Sequence, residues 1–405
     1  MSTDALLEAA RLIWPAPASV QITGGTSTGG ASQAGPADAD QTRSLVLVPS
    51  AANPKLAVPA QPRAAAAKVA TSATAPGSLA ASVRTRAMGL ALGSGLGGRL
   101  LRDRLVVTLP PGATGLDDLL GELLHERVVV GLRVGPPRAN RKPVLSVVTP
   151  DGRLVAYAKL GLNELTDRLV AAESAALTRL GAIDLGDVVV PEVLHAGRWQ
   201  EHQLLVQSPL PVRRSKGAGV DLRLEAAMVV VSRAEGVTQA PLSAATWWTR
   251  TTRAADRLPE GESRSPLLAI GAALGEQADR VLPMGGWHGD WNPGNCSVVP
   301  GSVLVWDWER YETGVPLGFD GLHLRLQASI GAGATPRAAA TALLADAAVL
   351  LAPFGVLPAD ADLVAQLYLW GLGVRYATDD QAKAGAAIGR LGEWLVPVLT
   401  TVKES

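Results

Sequence analysis

The chain has 405 residues, 47% of them hydrophobic, enough for two or three structural units with at least one sizeable core. Its 37 basic and 37 acidic residues cancel, which gives no reason to expect a nucleic-acid or membrane-surface partner. One cysteine, Cys296, excludes an intramolecular disulfide framework and a multi-cysteine zinc site, and the longest apolar run is broken by Asp346 and ended near Pro353, short of a membrane span. The opening MSTDALLEAARLIWPAPASV lacks the basic start and apolar stretch of a secretory signal, so the expectation is a soluble cytoplasmic protein.

In chain order, Asp4–Ile13 reads as a short helix, and the Gly-, Ser- and Thr-rich residues 21–42 as a flexible loop. SLVLVPS and KLAVPA flank AANP as strand, turn and strand, and the Ala-rich segments 63–74 and 78–96 read as helices. Residues 1–114 thus make an α/β extension. A second unit, 115–210, begins with the helix GLDDLLGELLHE and continues through the β-type runs VVVGLRVG, PVLSVVTPDG and LVAYAKLG. A helix follows from Asn163 to Leu180, closed by Gly181, and then the runs VVVPEVLHAG and HQLLVQSPLP. That order describes a small antiparallel sheet with one helix. Residues 211–405 are mostly helical, interrupted by GGWHGDWNPGNCSVVPGSVLVWDWER from Gly285 to Arg310.

This interruption concentrates the polar chemistry of the chain. Pro300-Gly301 is a turn signal between the β-type runs Ser297–Val299 and Val303–Trp306. A hairpin centred there sets Asn295 opposite Trp306 and beside Asp307, with Asp290 on a loop stiffened by Pro293. Oxygen donors without thiolates or clustered imidazoles suit Mg²⁺ and phosphoryl transfer. The alternative is a surface hairpin whose Asp and Asn residues only cap turns.

His288-Gly289-Asp290, then Asn295, then Asp307-Trp308 behind a hydrophobic strand resemble the catalytic and metal-binding segments of the aminoglycoside phosphotransferase and choline kinase family, the small-molecule branch of the protein-kinase-like fold. GVPLGFDGLH resembles the family segment in which an Asp, here Asp320, braces the catalytic loop. The resemblance implies an α+β, two-lobed fold: a small antiparallel sheet lobe and a mostly helical lobe, with residues 1–114 as an addition. It implies that Asp290 takes the proton of the acceptor hydroxyl, that Asn295 and Asp307 hold Mg²⁺ on ATP or another nucleoside triphosphate, and that Lys159 positions the phosphates. Backbone near Gln207 to Leu210 would meet the adenine. His288 is grouped with the catalytic residues, as one that shapes the loop by hydrogen bonding rather than one that carries a proton.

Independent support comes from the rarity of lysine, with seven against 30 arginines, and from the helix after Lys159. There Leu165, Leu169, Glu173, Leu177 and Leu180 share one face, so Glu173 points inward, where Lys159 is its natural partner. GPPRANRKP, between the first two strands of the second unit, lacks a glycine-rich pattern: either Arg138, Arg141 and Lys142 reach the phosphates, or the loop is a solvated turn. Trp287, Trp291, Trp306 and Trp308 are expected to wall the site, Cys296 to be a small buried hydrophobe, and Glu309 and Glu312, near Asp307, to be solvated surface residues rather than contacts to a hydroxylated or cationic acceptor.

The expected activity is transfer of the γ-phosphate to a hydroxyl of a sugar, amino sugar or other small alcohol; the alternative is a nucleotide-binding pseudokinase acting as a regulatory or scaffold module. A protein kinase is disfavoured because HGD stands for His-Arg-Asp and Asp307 is followed by Trp-Glu. From Pro211 onward 17 basic and 20 acidic residues give little of the negative surface that polycationic acceptors call for. The extension is a candidate for dimerisation, for recruiting a partner or for covering the nucleotide site.

Overall fold

The computed structural model describes residues 3–24, 40–72, 79–95, 97, 101–135, 139–212, 219–382 and 387–401. They fall into two compact units, one of Met1–Ala171 and Glu192–Pro209, the other of Ala172–Pro191 and Leu210–Ser405.

The first unit is built on strands β1 (Ser19–Thr23), β2 (Gln41–Val48), β3 (Leu56–Pro59), β4 (Arg104–Leu109), β5 (Val129–Val134), β6 (Pro143–Val148) and β7 (Leu154–Leu160). After β8 (Val188–Val189), which belongs to the second unit, come β9 (Val193–Trp199) and β10 (His202–Gln207). The nine strands form one antiparallel sheet in the order β1-β4-β2-β3-β5-β6-β7-β10-β9. The sheet is therefore larger than the five strands expected, because four strands from the first 114 residues join it. The β2–β3 hairpin is as its turn predicts, with Leu45 paired to Pro59. β1 and β4 were not anticipated, although RLVVTL buries Leu105, Val107 and Leu109 with the period of two that marks a strand.

That same period sorts the side chains of the sheet. Ala156, Ala158, Leu160, Leu204 and Val206 lie in a core with Leu6 and Ile13 of helix Thr3–Ile13, Trp14 just after it, and Leu116 and Leu120 of helix Leu116–Leu124. Tyr157 and Lys159 alternate with these residues and stand on the other face. Part of that face is covered by Ala66, Val69 and Leu92 of the Ala-rich helices Arg63–Ser72 and Leu79–Ser94.

VVVPEVLHAG is not one strand. Pro191 has no N–H to give a ladder, and the run divides there. β8 pairs in parallel with a strand of the second unit, and β9 pairs with β10.

The second unit holds two three-stranded sheets, β11 (Thr238–Pro241), β12 (Val281–Trp287) and β15 (Glu312–Pro316) in one, and β13 (Cys296–Val299), β14 (Ser302–Val305) and β8 in the other. β11, β12 and β15 add strands where a helical pattern was expected. Around them pack helices, among them Phe319–Gly331 and Pro358–Thr378, the latter burying Leu363, Val364, Leu367, Tyr368 and Trp370. No single described helix is long and apolar enough to cross a membrane, and Pro336–Ala345 and Ala347–Phe354 bend by 72° on either side of Asp346.

Candidate active site

β12 and β15 are antiparallel neighbours with Trp287 opposite Glu312, so residues 288–311 leave and return at one end of a sheet. Within this excursion the Pro300-Gly301 turn pairs Cys296 with Val305 and Val299 with Ser302. The Trp306 N–H donates to the Asn295 carbonyl at 3.0 Å, which places Asn295 opposite Trp306 as the turn predicts.

The loop that follows β12 is fixed by its backbone. Asp320, fully buried, accepts the N–H groups of His288 at 2.7 Å and Gly289 at 3.1 Å. Burial pushes its carboxyl up to about 6, against the pull of His288 and the two N–H donors. Gly289 has φ +84°, and a side chain there would bring a Cβ within 2.5 Å of the Arg310 carbonyl, so only glycine fits. His288 is also buried. Its Nε2 donates to the Trp306 carbonyl at 3.1 Å and its Nδ1 accepts the Asp290 N–H at 3.2 Å, a tautomer assigned from these partners. Burial lowers its pKa, so a neutral ring joins loop to hairpin. Trp291 and Trp308 pack edge-on against it at 5.6 and 4.6 Å between ring centres.

Asp290 keeps 41% of its side chain open to solvent. Its Oδ2 accepts Asn295 Nδ2 at 2.9 Å, and the same Nδ2 reaches the Asp290 carbonyl at 3.0 Å. Its Oδ1 faces His323 Nε2 at 3.3 Å, and His323 Nδ1 faces the Tyr368 hydroxyl at 2.9 Å. Burial works to raise the Asp290 pKa, but the His323 hydrogen bond and the nearby Arg375 charge outweigh it and hold the carboxyl below its ordinary value. Arg375 itself donates to the Gly289 carbonyl at 2.5 Å and lies over the Trp287 ring at 5.7 Å.

Asp307 has φ +72°, a left-handed conformation that a non-glycine residue adopts at some cost and that Asp tolerates better than most. Its carboxylate, that of Glu173 and that of Glu309 have oxygens within 4.8 Å of one another. The inward direction of Glu173 matches the helix pattern, since the residue is fully buried. Glu309 corrects its expectation as a surface residue, being 6% exposed. Glu312 is not solvated either: half-buried, it pairs with Arg250 beside a cavity of about 300 Å³ that Trp247, Trp287, Tyr368 and Arg375 also line.

In the sheet unit Lys159 is buried on β7, opposite Leu205 of β10, and Gln207 is buried opposite Tyr157. Lys142 is buried rather than solvated, Arg141 is half-buried, and Arg138 lies outside the described residues. Leu210 falls in the second unit, half-buried, its carbonyl accepting the Val212 N–H. Cys296 is buried as expected, its thiol pushed up to about 12 by burial.

His323, Tyr368 and Arg375 were missed in the sequence. The one signal for His323 is its spacing of three from Asp320, which puts both on one helix face.

No family model matches the chain, and no curated protein does. Among solved structures the chain is similar to an aminoglycoside phosphotransferase in a thermostable mutant form, 14% identical over 71% of this chain and 97% of that one, with a TM-score of 0.47. It is similar to a fructosamine-3-kinase of Haemophilus somnus 129PT, 12% identical over 70% and 96%, with a TM-score of 0.43. It is also similar to a macrolide 2'-phosphotransferase of Brachybacterium faecium, 18% identical over 70% and 98%, with a TM-score of 0.40. Glucosamine kinase stands among these neighbours too. Small-molecule phosphotransferases of the family that the motifs resemble are thus what the chain is similar to.

Proposed function

We propose that this chain is a small-molecule kinase that moves the γ-phosphate of ATP to a hydroxyl of a sugar, amino sugar or other small alcohol. The observation that carries the reading is one hairpin and its preceding loop holding Asp290 2.9 Å from Asn295, with Asp307 following the same hairpin in a strained conformation.

The donor set fits Mg²⁺. Asn295 turns its amide nitrogen to Asp290, which leaves Oδ1 for a cation, and Asp307 adds a carboxylate with those of Glu173 and Glu309 near it; all are hard oxygen donors. Asn295 and Asp307 would hold the ion, whose contribution when bound is to neutralise charge on the phosphate oxygens. Asp290, ionised at neutral pH and open to solvent, takes the proton of the acceptor hydroxyl and aligns it. Asp320 and His288 keep the loop from moving as that happens, so their contribution is positioning rather than proton transfer. In the sheet unit, Lys159, with Lys142 and Arg141, is the proposed contact for nucleotide phosphates, and the backbone of Gln207 to Leu210 for the base.

The test is mass spectrometry of a metabolite extract incubated with ATP, Mg²⁺ and the protein, with Asp290→Asn and Asp307→Ala as controls. A phosphate-mass increment on one metabolite, lost in both variants, supports the reading and names the acceptor. Full activity in either variant overturns the assigned roles. Mg·ATP binding by calorimetry with no product from any acceptor favours the pseudokinase reading.

A further inference from the structure

We infer that His323, held by Tyr368, is a positioning residue that fixes the carboxylate plane of Asp290 without neutralising it. The inference rests on the reading of Asp290 as the group that takes the acceptor's proton.

The polarity of the chain Tyr368, His323, Asp290 follows from what each atom can do. A carboxylate only accepts, so His323 Nε2, 3.3 Å from Asp290 Oδ1, carries the hydrogen. Nδ1 is then the bare nitrogen, and it accepts the Tyr368 O–H at 2.9 Å. His323 is fully buried and Tyr368 nearly so. Burial lowers the pKa of the imidazole and raises that of the phenol, so neither partner charges to break the pattern. Of the two neutral tautomers, the one with its hydrogen on Nε2 is the one that satisfies both neighbours.

The consequence is geometric. Asn295 holds Oδ2 and His323 holds Oδ1, so rotation of the carboxylate would break one bond or the other. Both donors are neutral, and the nearby cation, Arg375, acts on Asp290 through its charge while donating to the Gly289 carbonyl. A neutral donor orients the carboxylate and lowers its readiness to accept a proton less than a cationic donor would. Asp320 and His323, three apart on helix Phe319–Gly331, thus hold the loop at two places, the backbone of residues 288 and 289 and the side chain of residue 290.

The experiment compares His323→Leu, which has no donor, with His323→Gln, which keeps an N–H, and with Tyr368→Phe. Phosphate release from Mg·ATP to water, and transfer to glucose and glucosamine as trial alcohols, are followed alongside melting temperature. His323→Leu is expected to lower kcat roughly tenfold to a hundredfold with the KM for nucleotide unchanged, the usual range for losing a residue that orients another. His323→Gln should recover most of that loss, and Tyr368→Phe should show a smaller one. Nitrogen-15 NMR of the wild type should find the hydrogen on His323 Nε2, with a resonance that moves in Asp290→Asn. Equal kcat in His323→Leu and wild type, equal losses in the Leu and Gln variants, or a hydrogen on Nδ1 would each overturn the positioning role. A wild type that binds Mg·ATP but releases and transfers no phosphate sinks the kinase reading itself, and the positioning role with it.

Discussion

Asp117 in the sheet unit and Asp290 in the helical unit are each held on both carboxylate oxygens, and the two are held differently. In the sheet unit Asp117 accepts the Trp14 indole N–H at 2.7 Å and Arg43 Nε at 2.8 Å, while Arg43 also reaches Asp118. In the helical unit Asp290 accepts an amide and an imidazole, both neutral, and stays 41% open. Asp117 is 8% exposed and matched by a full opposite charge, which is what a carboxylate needs if its task is to hold a helix to a sheet. Asp290 is also held on both oxygens but without a hydrogen-bonded cation, which suits the proton-accepting role proposed for it. What differs is the chemistry of the partners: a full opposite charge on Asp117, and neutral donors on Asp290.

The comparison breaks most visibly under substitution. Asp290→Asn should lower phosphate transfer by about three orders of magnitude, roughly 4 kcal/mol of barrier, while calorimetry finds nucleotide binding little changed. Unchanged transfer would put Asp290 in the same class as Asp117.

A pH series sharpens the contrast within the site. The Asp320 carboxyl stands at about 6 in the native protein against an ordinary 3.8, so between those values the native state binds more protons than the unfolded one. Stability from this group is therefore present at the acid end and is lost as pH rises through that window, by about 3 kcal/mol at most. Urea unfolding at several pH values should show the slope in the wild type and its absence in Asp320→Asn; the same slope in both would assign it to other groups.

Asp117→Ala should destabilise by about 2 kcal/mol, the range for orphaning a buried N–H and loosening a partly exposed arginine, and leave transfer intact. The smallest effect concerns Cys296. With its thiol at about 12, the native protein at pH 8 should react with iodoacetamide roughly a thousandfold more slowly than an ordinary cysteine, and prompt labelling would show the hairpin opening.

What could be read in advance was local. The Pro300-Gly301 turn sets the hairpin register, and helical spacing turns Glu173 inward, because both depend on neighbours in the chain. His323 and Asp290 are 33 residues apart, and Tyr368 and His323 are 45 apart, so the clamp exists only once two helices pack. Glu309 looked exposed because nothing near it in sequence says that Glu173, 136 residues earlier, lies beside it and Asp307. β1 and β4 were overlooked because each is short, and their partners lie across a stretch read as loop and helix.

The nine-stranded sheet carries a consequence for anyone who would shorten this protein. β3 meets β5 through the pair Ala57 and Leu132, and there the strands of the first 114 residues adjoin those that follow. A chain cut to begin near Gly115 would turn β5 into a raw edge whose N–H and C=O groups seek another strand. It would also strip Leu6, Ile13 and Trp14 from the apolar face beneath Leu145 and Val206. Such a fragment should come out of the cell as aggregate, because the hundred or so residues it lacks are part of the wall it stands on.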